Sequence, residues 1–284
     1  MKRLFLFLLC GMLMVTGCEK TEWSGTAGGL TWNLSKDGTL VISGTGEMPD
    51  YQVTPTEFLP QWFKYRDKIS NVIIDNNVSN IGDYAFFRCE NLTSVTAGNS
   101  ISVIGIRAFS GCSSLVSMPI PNSVVTIGDD AFAGCKSLTS VIIPNSVTNI
   151  GRAAFYQCES LSLTAIGNSV TVIGEEAFFD CNNLPSVVIP NSVTSIGESA
   201  FYFCKSLTSV AIGNSVTTIG NDAFRNCSSL TEIINYQTTP MVVGELTFRG
   251  LNKDVCTLYV PAGSERAYST AVEWKDFAKI IAII

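Results

Sequence analysis

Between residues 81 and 241 one unit of 23 residues, IGxxAFxxCxxLxxVxIxNSVxx, is laid end to end seven times without an insertion. Its Ile-Gly pair recurs at Ile81-Gly82, Ile104-Gly105, Ile127-Gly128, Ile150-Gly151, Ile173-Gly174, Ile196-Gly197 and Ile219-Gly220. Further columns hold Ala then Phe (Ala85-Phe86 through Ala223-Phe224), Cys (Cys89, Cys112, Cys135, Cys158, Cys181, Cys204, Cys227) and Leu (Leu92 through Leu230). A short unit cannot bury its apolar side alone, so copies must stack on one another. So strict a period predicts a solenoid and leaves two separate globules disfavoured.

The copy around Leu138 illustrates the coil. Leu138, Val141 and Ile143 hold positions 1, 4 and 6 of an LxxLxL pattern, and Ser140 to Ile143 is β-prone. This predicts one strand of a parallel sheet. Asn145 and Val147 turn the chain, Ile150-Gly151 bends it again, and Ala154-Phe155 with Cys158 form a return arm long enough for one or two helical turns. Asp83, Asp129, Asp130, Glu175, Glu176, Glu198 and Asp222 follow the Ile-Gly pair, where they are expected to meet free N–H groups at the arm's start. Arg107 and Arg152 depart from that rule. The glycine is expected to supply a backbone conformation closed to other residues. Asn99, Asn122, Asn145, Asn168, Asn191 and Asn214 are expected to form a ladder, each amide inside its turn. Thr164 in an apolar column beside Leu163 in an exposed one predicts a strand bulge.

Ahead of the repeats, Lys2-Arg3, the apolar run Leu4 to Val15 and Val15-Thr16-Gly17-Cys18 have the form of a secretory leader. The last four residues resemble the lipobox of bacterial lipoproteins, which implies cleavage before Cys18 and acylation of its thiol. A polar tether, Glu19 to Thr26, follows. Leu30, Trp32 and Leu34 then alternate with polar residues, and Ser35-Lys36-Asp37-Gly38 leads into Thr39 to Ser43, a hairpin signal. After the repeats, Cys256 to Val260 predicts one more strand. Ser264 is placed to cap a helix with Ala267, Tyr268, Ala271 and Trp274 on its apolar face, and Phe277 to Ile284 makes a closing strand or packed tail.

The 23-residue unit resembles the BspA-type bacterial leucine-rich repeat, and the segments LTWNLSKDGTLVISGTGEMPDY and LYVPAGSERAYSTAVEWKDF are similar to those that flank such repeats in Bacteroidetes proteins. The resemblance implies an α/β solenoid: a leucine-rich-repeat stack with a parallel β-sheet on one face and short helical arms on the other. The expected organisation is a lipoprotein signal peptide at 1–17, a tether at 18–26, a β-hairpin cap at 27–68, repeats at 69–241 and a C-terminal cap at 242–284. Family members are surface or secreted proteins, some of which bind host or bacterial partners.

The chain has no histidine, which removes Ser-His-Asp and Cys-His nucleophiles, imidazole metal ligands and the usual near-neutral proton shuttle. Its 18 Lys and Arg against 24 Asp and Glu give a net charge of −6, the wrong sign for a general nucleic-acid binder. Neither a cofactor nor a metal site nor catalysis is expected. The seven-membered cysteine column admits three fates, a reduced buried stack, disulfides or metal binding, of which the first fits a regular stack.

Ligand binding has two candidate places. The residues between the buried strand positions, among them Thr96, Ser117, Pro119, Ser140, Ile142, Ser186 and Val188, are small and neutral and face the concave side in the resembled fold. Tyr156, Phe179 and Tyr202 occupy one position in three consecutive coils, a stripe able to stack on sugars or anchor a protein, though packing over the arms also explains it. The expected function is an envelope lipoprotein, outer-membrane or surface-exposed, that binds a macromolecular partner, a protein or glycan. The alternative is a carbohydrate-binding accessory of a glycan-uptake system. Membrane contact is expected through the lipid on Cys18 alone, and the oligomeric state is open.

Overall fold

The computed structural model describes residues 21–53 and 58–283. The leader at 1–17 and Cys18 lie outside the described residues. Each coil runs through a strand, a turn, a second short strand and an arm.

Strands Ser94–Thr96, Ser140–Ile142, Leu163–Ala165, Ser186–Ile189, Ser209–Ile212 and Glu232–Asn235 form the parallel ladder expected of the LxxLxL segment. Alternate residues turn inward, so Val141, Val187, Val210 and Ile233 are buried while Ile142 and Val188 are 63% and 67% exposed. The ladder is interrupted near Pro119, where Ser117 keeps only an isolated bridge to Ser94. A proline has no N–H to donate to a ladder. It is interrupted again between Leu163–Ala165 and Ser186–Ile189, which belong to different sheets.

No bulge accompanies Thr164. Leu163, Thr164 and Ala165 pair in register with Ser140, Val141 and Ile142. The irregularity is chemical instead: Leu163 is 56% exposed, and the buried hydroxyl of Thr164 has no hydrogen-bond partner.

The Ile of each Ile-Gly pair belongs to a second parallel ladder of two-residue strands, Asn80–Ile81, Val103–Ile104, Thr126–Ile127, Asn149–Ile150, Val172–Ile173, Ser195–Ile196 and Thr218–Ile219. The Ile side chains point inward and are buried. The arms are hydrogen-bonded turns. In the first copy Ala85 N–H donates to Gly82 O, and Cys89 N–H to Phe86 O. Alternate N–H groups leave the coil and donate forward: Tyr84 to Ile106 O at 2.9 Å, Phe86 to Ala108 O at 2.8 Å and Arg88 to Ser110 O at 2.8 Å. The arms are thus a third ladder, with N–H groups facing the C-terminal end.

That pattern corrects the expectation for the glycine. Left-handed φ falls two residues after the Gly, at Tyr84, Arg107, Asp130, Ala153, Glu176, Ser199 and Asp222, and again before each Cys, whereas Gly82 and its equivalents have no positive φ. Glycine stands there because coils touch. A Cβ on Gly105 would lie 2.6 Å from Asp83 N, and one on Gly220 2.4 Å from Glu198 N. The acids do not serve a helix terminus either. Asp83 Oδ1 accepts from Ile106 N–H at 2.6 Å and Asp129 Oδ1 from Arg152 N–H at 2.8 Å, so these carboxylates link coil to coil.

Inside, Phe86, Phe109, Phe132, Phe155, Phe178, Phe201 and Phe224 form a stack with ring centroids 5.2–5.3 Å apart. Trp62 stacks on its first ring at 6.0 Å. Phe248 adds a ring at 6.1 Å from Phe224, and Trp274 lies 5.1 Å beyond. Trp62 Nε1 donates to Ala85 O at 2.8 Å and Trp274 Nε1 to Met241 O at 3.0 Å, so each cap presents a ring to the spine and a donor to an open carbonyl.

The N-terminal cap is a sheet of β1 (Thr21–Ala27), β2 (Leu30–Ser35) and β3 (Thr39–Gly44), continuing in parallel into β4 (Asn71–Ile74). The tether expected to reach residue 26 is therefore shorter, because Thr21–Ala27 pairs antiparallel with β2. At the other end the helix expected to reach Trp274 is only α1 (Glu265–Tyr268), with no side-chain cap from Ser264. A left-handed Glu273, φ 67°, precedes a separate 3₁₀ turn, Trp274–Asp276. Lys279–Ile283 closes the sheet, parallel to Thr257–Pro261.

Candidate binding surface

The strand alternation that buries Val141 and Val187 pushes Pro119, Ile142, Ala165, Val188, Ala211, Ile234, Tyr259 and Ile281 to the outer face of the ladder, one per coil. In the regular part Val188, Ala211, Ile234, Tyr259 and Ile281 stand directly abreast. Between Ser94 and Pro261 the strand residues carry one charge, Glu232, whose carboxylate accepts from Ser209 Oγ at 3.0 Å. Three shallow depressions lie along this face. One of about 330 Å³ is bounded by Met118, Pro119, Ile142 and Pro144, one of about 400 Å³ by Val188, Asn191, Asn214 and Tyr236, and one of about 280 Å³ by Ile234, Tyr236, Tyr259 and Ile281. A face with so little charge costs little to dehydrate.

Charge gathers on the arms. Arg107 Nε pairs with Asp130 at 3.1 Å and its Nη1 donates to Tyr84 Oη at 3.0 Å, while Arg152 reaches Glu175 at 3.6 Å and Glu176 at 3.1 Å. These are the two arginines that break the acidic column, and each bridges to the acids of the next coil.

Tyr156, Phe179 and Tyr202 do form a row on the arms. Their centroids are 4.8 and 5.0 Å apart with interplanar angles of 17° and 5°, so the rings cover one another's faces. The guanidinium of Arg225 lies 5.4 Å from the Tyr202 centroid and covers the far end. Burial pushes the Tyr156 hydroxyl above its usual range, with Glu176 and Asp180 adding to the effect. Sugar stacking needs free ring faces, and the middle ring has none.

The asparagines are exposed at the turns rather than enclosed by them. Asn76, Asn145 and Asn191 accept through Oδ1 from the backbone N–H of Asn99, Asn168 and Asn214, at 3.1, 2.7 and 3.0 Å. In each case glycine precedes the donor, and a Cβ on Gly98, Gly167 or Gly213 would lie within 2.3–2.5 Å of the coil before. A parallel hydroxyl ladder, absent from the sequence reading, links Thr171 to Thr148 O, Thr194 to Thr171 O and Thr217 to Thr194 O at 3.0–3.1 Å. Its signal was the threonine after the Asn-Ser-Val triplet.

The cysteine column is free and buried. Each thiol from Cys112 to Cys227 donates to the carbonyl of the core Phe one coil back, at 3.1–3.4 Å. Burial raises every one of these thiols, Cys227 to about 12, which suppresses the reactive thiolate.

Six copies of the BspA type leucine-rich-repeat region match residues 56–184 and 150–266. The chain belongs to the BspA-type leucine-rich-repeat family. Its fold is similar to that of a leucine-rich repeat protein from Bacteroides ovatus ATCC 8483, 23% identical over 89% of this chain and 75% of that one, TM-score 0.55. It is also similar to a leucine rich cell surface protein from Faecalibacterium prausnitzii A2-165, 21% identical over 93% and 95% of the two chains, TM-score 0.53. Among curated proteins none matches this chain.

A BspA-type solenoid of this kind works by binding rather than by catalysis. The broad, weakly charged sheet face supplies contact area and apolar anchors, the materials of a protein interface. Among the described residues no helix is long and apolar enough to cross a membrane.

Proposed function

We propose that this BspA-type repeat protein is an envelope-tethered binding module, held by a lipid on Cys18, whose sheet face docks a protein partner. The observation that carries the reading is the outward column from Pro119 to Ile281, in which Ile142 and Val188 are 63% and 67% exposed beside small uncharged neighbours. Isolated exposed apolar residues are ordinary, but a column repeating at every coil and flanked by depressions is a docking surface. Its partner presents an apolar, weakly charged patch. Lys2-Arg3, the apolar run to Val15 and the Val15-Thr16-Gly17-Cys18 exit support the tether. Acylation at Cys18 together with an amide-linked chain supplies the multiple acyl groups that stable anchoring requires.

The test joins location to binding. Protease added to intact cells is expected to digest the wild-type chain, and Cys18→Ala is expected to release it from the membrane fraction. In a solid-phase assay against surface and matrix proteins, Ile142→Asp with Val188→Asp is expected to lower affinity at least 10-fold while melting unchanged. Protection from protease until the envelope is broken, or binding indifferent to the double substitution, would overturn the proposal.

A further inference from the structure

The sheets at the two ends of the solenoid are finished differently. At the N-terminal edge β1 carries a register irregularity between Thr21 and Trp23 and an exposed acid, Glu22. Bulges and edge charges are how sheets discourage another strand from adding. The C-terminal edge is less protected: Lys279–Ile283 reads Lys-Ile-Ile-Ala-Ile, carries a single exposed charge at its first residue and no bulge, pairs regularly with Thr257–Pro261 over all five residues, and ends the strand order of its sheet. Among the described residues, its N–H and C=O groups pointing away from that neighbour meet no backbone partner. What completes such an edge is another strand, because only a strand repeats donors and acceptors at the required spacing.

We propose that the strand is Lys279–Ile283 of a second copy, paired antiparallel about a two-fold axis through Ile281, so that two solenoids join end to end. Self-pairing centred there sets Lys279 opposite Ile283, Ile280 opposite Ala282, and Ile281 opposite its own counterpart. The strand's one charge decides the direction. A parallel pair would place the two Lys279 ammonium groups abreast, whereas the antiparallel pair puts them at opposite ends, each facing an isoleucine. The faces match as well. Ile281, 44% exposed and abreast of Tyr259, would meet the second Ile281, carrying the outward apolar column of one copy into the other. Ile280, packed against the core, would meet Ala282. The contact is isologous and closes at two copies, giving a dimer rather than a fibre.

The proposal concerns the strand edge, whereas the partner-binding reading concerns the outward face; Ile281 belongs to both, so the tests read self-association and not partner binding. Sedimentation of the soluble chain lacking the lipid anchor, at 1 to 100 µM on the order usual for such contacts, is expected to show a monomer–dimer equilibrium. Ile281→Lys is expected to sediment as monomer with an unchanged melting temperature. Ile281→Cys under mild oxidation is expected to give a disulfide-linked dimer within minutes, at least 10-fold faster than Val188→Cys, a more exposed sheet position away from the edge. A wild-type chain monomeric throughout, or Ile281→Cys cross-linking no faster than Val188→Cys, would overturn it. If Ile281→Lys fails to fold, the cysteine comparison still decides.

Discussion

Gly151 lies directly against Gly128 of the preceding coil, so close that a β-carbon on Gly151 would stand 2.6 Å from the Gly128 carbonyl carbon. Coil spacing is set by backbone-to-backbone contact here, and no side-chain rotation can relieve a clash between main chains. Gly151→Ala is therefore expected to destabilise the solenoid by about 3 kcal/mol or more, measured by urea unfolding. Gly134 is the contrasting case. Its φ is +74° and a Cβ there meets only ordinary contacts at 3.7 Å, while Asn226 holds the equivalent position with φ 60°. Gly134→Asn is expected to cost less than about 1 kcal/mol.

The buried thiols make stability fall at alkaline pH. Burial raises Cys89, Cys227 and Cys256 to about 12 and the rest of the column above the ordinary thiol value of 9.0. A group whose folded value is raised keeps its full contribution below the unfolded value and loses it as pH climbs toward the folded one. The unfolding free energy should be level between about pH 6 and 8 and fall from about pH 9, by about 1.4 kcal/mol per pH unit for each thiol, and the melting temperature should fall with it. Cys158→Ala should make the decline shallower. An equally steep decline in Cys158→Ala would contradict the linkage.

Thr164 gives a stabilising substitution. Its hydroxyl is buried without a partner in a column whose neighbours are Val141 and Val187. Thr164→Val keeps the shape and removes the unpaired group, so it is expected to raise stability by about 1 kcal/mol in the same urea titration. A loss of stability would mean that the hydroxyl is bonded in solution.

The aromatic row on the arms should report on packing. Phe179→Ala removes two stacked contacts, at 4.8 and 5.0 Å, and is expected to cost about 1–3 kcal/mol. Retardation of the chain in polysaccharide-containing native gels should be the same for wild type and for the combined Ala variant of Tyr156, Phe179 and Tyr202. Retardation of the wild type that the triple variant abolishes would favour the sugar-platform reading instead.

The buried columns were legible in the sequence because they repeat: Ile, Ala-Phe, Cys, Leu and the strand Val all occupy the interior. The hairpin was legible from alternation around Asp37-Gly38. The ladder of Ile81 and its equivalents was not, since a two-residue strand has no alternation to display. Nor were the left-handed positions, because Arg107, Asp130, Glu176 and Asp222 carry no glycine or proline signature. Their strain, about 1–2 kcal/mol each, is offset by forward hydrogen bonds such as Arg107 N–H to Asp129 O at 2.9 Å. The candidate surface was half legible. Ile142 and Val188 could be placed on the outer face by counting, but the column's continuation through Ile234, Tyr259 and Ile281 required the coil pairing beyond the last regular repeat.

The most direct test of the sheet face as the docking surface is site-specific photo-crosslinking. A photoreactive residue would replace Ile142 or Val188 on the sheet, and Phe179 on the arms, in protein offered to a partner identified by solid-phase binding. Adducts from positions 142 and 188, with none from 179, are the predicted result. Adducts from 179, with the sheet positions silent, would contradict the account and move the binding surface to the arms.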